Sequence, residues 1–260
     1  MPPPPSHVQQ YFDRDQVWGE TYWTELQIER ARQSIAILPA DADSVLDIGC
    51  GAGVVTQELN RNLRSVVGMD LAFSPLRQLR QIGVSVLQGD ARAVPFADRS
   101  FQLVAATEVI EHLTEVDQRL ALREFARVAR KYVLLTVPYR ETLETSWLKC
   151  EHCGHVFHAW GHTQTFTESR MENLLQPEFA LHRVITLGDW TKHVPAPLVR
   201  LAHRFGGFAV GESGRCICPQ CRQSKTFVSR RWARLLWSLP LRLFPLPRHA
   251  HWMAALYERA

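Results

Sequence analysis

Several stretches of this 260-residue chain combine residue types and spacings that could do chemistry. Asp47-Ile48-Gly49-Cys50-Gly51-Ala52-Gly53 follows the apolar residues Val45 and Leu46 and opens a helix expected over Val54 to Asn62. Glycines at 49, 51 and 53 let the backbone turn tightly and approach a ligand with no Cβ in the way. A pyrophosphate-binding G-x-G-x-x-G would need its third glycine at Val54. The carboxylate of Asp47 would repel a pyrophosphate but can accept hydrogen bonds from an ammonium group. The ligand this favours is a nucleotide carrying an amino acid, such as S-adenosylmethionine.

The cysteines suggest a second chemistry. Cys150-Glu151-His152-Cys153-Gly154 and Cys218-Pro219-Gln220-Cys221 are both C-x-x-C, and 64 residues lie between them. Each pair can wrap two thiolates around one ion, and two pairs complete the four-thiolate set of a structural zinc site. The interval exceeds that of an ordinary zinc ribbon, and a helix and strand expected between the pairs account for it. Two reduced, unliganded pairs are the alternative. Of the other cysteines, Cys216 is left over and Cys50 is expected to pack inside the glycine turn.

The elements that must position these groups alternate. Glu20 to Leu38 has apolar residues at largely helical spacing. Ser65–Asp70 is a second strand ending in an acid, where a doubly wound sheet presents a carboxylate to ribose hydroxyls; Leu71 follows it. A helix is expected over Phe73–Ile82 with Ser74 as its N-cap and Pro75 at its first position. Val84–Ala91 is a third strand, ending in Asp90 and Ala91 where an adenine edge would lie. Phe101–Ala106 is a fourth, running into Thr107-Glu108-Val109-Ile110-Glu111-His112-Leu113. Thr114 caps a helix over Glu115–Arg130, and Lys131–Val137 is the fifth strand, stopped by Pro138. Thr167 caps a further helix through Leu175, Phe179–Leu187 is a sixth strand and His251–Tyr257 a seventh, antiparallel one. The fold class is α/β, a doubly wound seven-stranded mostly parallel sheet with a zinc-binding insertion.

Taken in order, the glycine motif, both strand-end acids and E-V-I-E-H-L make residues 45–137 resemble a class I S-adenosylmethionine-dependent methyltransferase. The resemblance implies that Asp47, Gly49, Gly51, Gly53, Asp70, Leu71, Asp90, Ala91 and Glu108 bind the cofactor. E-x-x-E-H with a later histidine before a Phe-Thr cap is similar to two subsets, the ubiquinone-type O-methyltransferases and the small-RNA 3′-end 2′-O-methyltransferases. Carried over from them, Glu108, Glu111, His112 and His162 would hold Mg²⁺ or another divalent cation, with His158 an alternative ligand. Such an ion lowers a hydroxyl's pKa while a neutral histidine accepts the proton. The catalytic candidates are therefore His112, Glu111 and His162. The competing reading has no metal: Glu108 fixes the cofactor and His112 alone is the proton acceptor. His152, His155, His182, His193 and His203 show no comparable pattern and are expected to be surface or packing residues.

Three regions are expected. Residues 1–19 are a disordered N-terminal segment, 20–187 with 250–260 form the methyltransferase core, and 139–166 and 188–249 are lid insertions. Both insertions leave strand ends where ligands bind in open α/β sheets. From Ser213 to Tyr257 there is no acidic residue, while Arg215, Arg222, Lys225, Arg230, Arg231, Arg234, Arg242 and Arg248 fall there. Val228, Trp232, Leu235, Leu236 and Leu239 share one helical face. That face either packs on the lid, leaving the arginines solvated, or docks on anionic lipid as an interfacial helix does.

Net charge is +4, too mild to argue for nucleic acid, and no base-stacking module is recognisable. No apolar run approaches the roughly 20 residues a bilayer requires, and no cleavable signal opens the chain. The expected location is cytoplasmic, with peripheral contact to the inner membrane face as an accompanying expectation. The chain has no Asn/Asp-Pro-Pro-Tyr segment after the fourth strand, which disfavours base amino groups. The expected reaction is O-methylation of a small acceptor, lipid-linked or bearing a saccharide. An RNA ribose 2′-hydroxyl is the alternative, and a non-catalytic platform stapled by zinc is the rival of another class. The acceptor and the oligomeric state are not encoded in any motif of the chain.

Overall fold

A computed structural model of the chain describes residues 24–63, 65–209, 216–223, 229–243 and 246–260. The N-terminal segment expected to be disordered and the first residues of the leading helix lie outside these. The strands are β1 (Ser44–Ile48), β2 (Ser65–Asp70), β3 (Ser85–Gln88), β4 (Phe101–Thr107), β5 (Ala129–Pro138), β8 (Phe179–Lys192) and β9 (Arg248–Arg259), with a separate hairpin of β6 (Trp147–Lys149) and β7 (Val156–His158). The helices are α1 (Glu25–Ile35), α2 (Val54–Asn62), α3 (Phe73–Gln81), α4 (Glu115–Val128), α5 (Glu168–Glu172), α6 (Ala196–Arg204) and α7 (Arg231–Leu243).

The main sheet runs β3-β2-β1-β4-β5-β9-β8. Strands β1 to β5 are parallel, and β9 runs antiparallel between β5 and β8. Apolar residues are nearly continuous along the central strands because both faces are covered. Leu46, Val104 and Leu135 point into one core with Phe125 and Val128 of α4. Their chain neighbours Val45, Leu103 and Leu134 point into the other, with Ala31 of α1 and Leu59 of α2. The chain winds outward in both directions from β1 and β4, so a crevice opens beyond their carboxyl ends. The glycine turn and the acid–histidine segment both leave the sheet there.

Several local expectations change: β3 stops at Gln88, short of Asp90 and Ala91, and α5 stops at Glu172, short of Leu175. The N-cap of α3 is Ala72, with no side-chain cap bond, and not Ser74, which lies within the helix and is buried. The hydroxyl of Ser74 would favour a cap, but Phe73 and Ser74 already hold helical geometry behind the turn made by Asp70, whose carboxylate binds the Ala72 amide at 2.8 Å. Helix α4 stops at Val128, and Ala129 and Arg130 belong to β5. Strands β8 and β9 extend well past Leu187 and before His251. Gly188 reads as a strand end, yet at φ 74° it makes an irregularity after which pairing resumes at Trp190↔Ala250. A β-bulge bends a strand without ending it.

The two stretches beyond β5 and β8 meet. Thr142 Oγ1 donates to the Val194 carbonyl at 2.9 Å, Arg200 Nε pairs with Glu144 Oε1 at 2.8 Å, and the Ala209 amide donates to the Trp147 carbonyl at 3.0 Å. Helix α7 lies along α6, with Ala233 fully buried. Its apolar face is only partly covered: Trp232 approaches the Phe205 ring at the end of α6 with centroids 5.9 Å apart, yet Trp232, Leu235 and Leu243 remain 56%, 52% and 65% exposed. No helix among the described residues is long and apolar enough to cross a membrane.

Candidate functional site

The glycine turn is built around Asp70. Gly49 and Cys50 donate their amides to the Met69 carbonyl at 2.7 and 3.1 Å, tying the end of β1 to β2. The carboxylate of Asp70 accepts the amides of Gly51 and Ala72, both at 2.8 Å. Gly49 and Gly53 have φ of 71° and 83°, and a Cβ on them would stand 2.3 Å from Val109 and 2.1 Å from Leu79. A side chain at either position would be strained. Gly53 caps α2 without a side-chain bond, so the helix presents bare amides to the crevice. Cys50 packs with Leu76, Leu79 and Val84.

Asp47 sits below this turn, fully buried. Its Oδ2 accepts from Thr56 Oγ1 at 2.7 Å, and Oδ1 meets no donor. Burial, opposed by the Thr56 bond and aided by the charge of Asp70, raises its carboxyl to about 7. Buried oxygens without a partner are uncommon in folded proteins. Leu71 offers its carbonyl to Gln88 Nε2 at 3.0 Å. Asp90 lies two residues past the end of β3, beside Ala91, its carboxylate gripped by Arg92 at 2.6 Å, and Arg92 also reaches Asp117 at 2.9 Å.

Beyond β4, the chain turns at Glu108, a non-glycine residue at φ 58°. Such backbone is held only where its surroundings impose it. Here the Glu108 amide donates to the Thr136 carbonyl at 3.0 Å, Thr136 Oγ1 donates to Oε1 at 3.1 Å, and Arg30 of α1 pairs with Oε2 at 3.0 Å. Glu108 is thereby engaged on both oxygens. It does not join the clusters of closely spaced metal-ligating atoms, although it was expected among the ligands.

The turn continues as a short 3₁₀ helix, Ile110–His112, that sends Glu111 inward. Glu111 is fully buried, and neither oxygen meets a hydrogen-bond donor; His112 Nε2 stands 3.9 Å from Oε1, too far to bond. Burial, then the charge of Glu108, pushes its carboxyl well above the usual range. Burial also keeps the His112 imidazole neutral, pulled down to about 3. His162 completes a trio whose ligand atoms all lie within 4.8 Å of one another.

A residue that the sequence reading missed links this trio to a second. Glu141, three residues past Pro138, accepts from His162 Nδ1 at 2.6 Å and faces His158 Nε2 at 3.3 Å. Glu141, His158 and His162 form the second trio. Burial opposes the charge of Glu141, but bonds from His158 and His162 outweigh it and hold its carboxyl at about 2. His158 Nδ1 accepts the amides of Trp160 and His162 at 3.3 and 3.1 Å, which orients the ring. The signal that could have found Glu141 is positional, an acid just past the carboxyl end of a central strand. Arg30 had no signal of its own.

Beside Glu141 opens a cleft of about 330 Å³ lined by Leu143, Glu144, Trp147, His193 and Arg200 among others. His193, read as bland, lines this cleft, whereas His203 stacks between Trp147 and Phe208 as a packing residue. The four paired cysteines also come together, on the β6–β7 hairpin and the 216–223 segment.

Known proteins agree with the fold. Residues 45–132 match the family described as "Methyltransferase domain". Demethylmenaquinone methyltransferase of Corynebacterium urealyticum is 32% identical over 119 residues, 46% of each chain. The 2-phytyl-1,4-naphtoquinone methyltransferase of Thermosynechococcus vestitus is 38% identical over 99 residues, 35% of this chain and 43% of that protein. The chain spans about half the length of the curated relatives it matches. Among solved structures, the complex between the Trm112 methyltransferase activator of Haloferax volcanii and a methyltransferase contains a chain that superposes with a TM-score of 0.60. That likeness has 16% identity and covers 97% of both chains; it speaks to the fold alone.

Proposed function

We propose that this chain, whose residues 45–132 match a methyltransferase domain, is a class I S-adenosylmethionine-dependent methyltransferase that transfers a methyl group from S-adenosylmethionine to an oxygen of a small acceptor. The observation that carries the oxygen acceptor is Glu111, a fully buried carboxylate with no donor, within reach of two imidazoles. Leaving an ionised carboxylate buried and unpaired is expensive. A divalent cation fits this donor set: one carboxylate and two imidazoles suit Mn²⁺ or Fe²⁺ better than Mg²⁺, which prefers oxygen ligands. Glu111, His112 and His162 would hold it. Bound there, it would lower the pKa of an acceptor hydroxyl.

The protein groups divide the remaining work. Gly49, Gly51 and Gly53 admit the cofactor, Asp70 meets its ribose, and the bare oxygen of Asp47 takes the methionine ammonium. Asp90 and Ala91 stand at the adenine end. His162 is oriented by Glu141 through Nδ1, which leaves Nε2 to accept the hydroxyl proton or ligate the ion. A carboxylate behind a ligating imidazole fixes its tautomer and raises its basicity. His112, held neutral at about 3, suits a ligand better than a base.

The cleft beside Glu141 would be the entry for the acceptor, and its volume lies at the lower end of small-molecule pockets. The quinone names of the relatives agree with a small ring acceptor. The partly exposed apolar face of α7, with Leu201 and Phe205 of α6 nearby and arginines along the sequence, favours an acceptor drawn from an anionic membrane. Replacing Glu111 with glutamine tests the site. Stimulation by Mg²⁺ or Mn²⁺ and methylation of a hydroxylated quinone are expected to be lost, while affinity for S-adenosylhomocysteine stays unchanged. Activity that is independent of divalent ions in the native enzyme refutes the cation, and labelling of a short RNA in place of the quinone refutes the small acceptor.

A further inference from the structure

We propose that Cys150, Cys153, Cys218 and Cys221 form a tetrathiolate zinc site that ties the β6–β7 hairpin to the 216–223 segment. The assignment is independent of the acceptor and of the acid–histidine cluster.

The geometry is that of two like halves around one point. The Cys150 amide donates to the His155 carbonyl and the Gly154 amide to the Cys150 carbonyl, both at 2.9 Å. At the same offsets, the Cys218 amide donates to the Gln223 carbonyl and the Arg222 amide to the Cys218 carbonyl, again at 2.9 Å. Gly154 and Arg222 occupy matching places at φ 73° and 62°. Left-handed backbone is easy for glycine and disfavoured for arginine, so the second turn adopts this shape against its own residue preference.

The sulfur positions complete the case. Cys150 and Cys221 Sγ are 3.5 Å apart, as are those of Cys153 and Cys218, and all four lie within 4.8 Å of one another. A disulfide requires about 2.05 Å. Tetrahedral zinc with bonds of about 2.3 Å places its sulfurs about 3.8 Å apart. Each short pair takes one cysteine from each half, so no half closes on itself. The hairpin then has its metal at one end and its ladder Lys149↔Val156, Leu148↔Phe157 and Trp147↔His158 leading to the cleft wall and the second trio at the other. A hairpin of this length is marginal alone in water. The metal supplies the cross-link that holds it.

The test uses the full chain purified without chelators. Elemental analysis is expected to give about one zinc per chain, released from the wild-type protein when a mercurial titrates its thiols. Cys153→Ser with Cys221→Ser is expected to lose the zinc, and Cys50→Ser to keep it. In the double variant, hydrogen exchange over residues 147–158 should accelerate at least about tenfold, as loss of a cross-link frees local opening, while β1 and β2 are unchanged. Absence of zinc, iron in its place, or zinc retained by the double variant overturns the site. Unchanged exchange in zinc-free protein overturns the tie. Should the double variant fail to fold, zinc release from the wild-type chain decides.

Discussion

Replacing Asp47 with asparagine separates its effect on stability from its effect on the cofactor. Burial is the main cause that lifts its carboxyl from 3.8 to about 7, a change that corresponds to about 4 kcal/mol. Because the folded value is raised, this contribution is fully present below about pH 4 and is lost as pH rises through about 7. Above that, the folded chain carries an ionised carboxylate with one oxygen bare. Asparagine has nearly the same shape and keeps an acceptor for Thr56, but leaves an unpaired amide donor that costs about 1–3 kcal/mol. The net gain at pH 8 is therefore about 1–3 kcal/mol, a rise in Tm of several degrees at about 2–4 °C per kcal/mol. At pH 5 the gain should vanish or reverse. The same change removes a charge-assisted bond to the cofactor ammonium, worth about 1.5–3 kcal/mol, or roughly 10- to 100-fold in affinity. Thermal unfolding at both pH values and calorimetry with S-adenosylhomocysteine measure the two effects. A Tm difference independent of pH refutes the buried charge, and unaltered affinity refutes the ammonium contact.

Other expectations follow from particular contacts. Glu141→Gln removes the carboxylate that orients His162 and should lower turnover and Mn²⁺ affinity about 10- to 100-fold, with S-adenosylhomocysteine affinity unchanged; equal loss of cofactor affinity would count against a positioning role. Gly53→Ala must hold an αL conformation that costs about 1–2 kcal/mol and meet Leu79 at 2.1 Å. Lower Tm and at least about tenfold weaker cofactor binding are expected, read by the same calorimetry. Trp232→Glu with Leu239→Glu should abolish sedimentation with anionic liposomes without lowering Tm, since both side chains are exposed. Binding that survives these changes would remove α7 from any membrane contact.

Much of this protein is legible in the chain because its causes are local. A strand buried on both faces needs a continuous apolar run, and a turn at φ 71° where a Cβ would stand 2.3 Å from Val109 needs glycine. Two thiolates on one ion need a C-x-x-C. Each constraint acts within a few residues, so spacing carries it. What folding decided involves partners far apart in sequence. Arg30 engages Glu108 from 78 positions away, a pairing that the E-x-x-E-H spacing does not reveal, and Glu108 stands apart from the Glu111, His112 and His162 cluster. Glu141 joins His158 and His162 only because β5 delivers one side of the pair and the hairpin the other. Helix α7 has an apolar stripe on any helical wheel, but which side meets α6 depends on the neighbour's shape. Spacing along the chain determines which atoms are available for chemistry; burial and distant charges determine which of them remain unpaired.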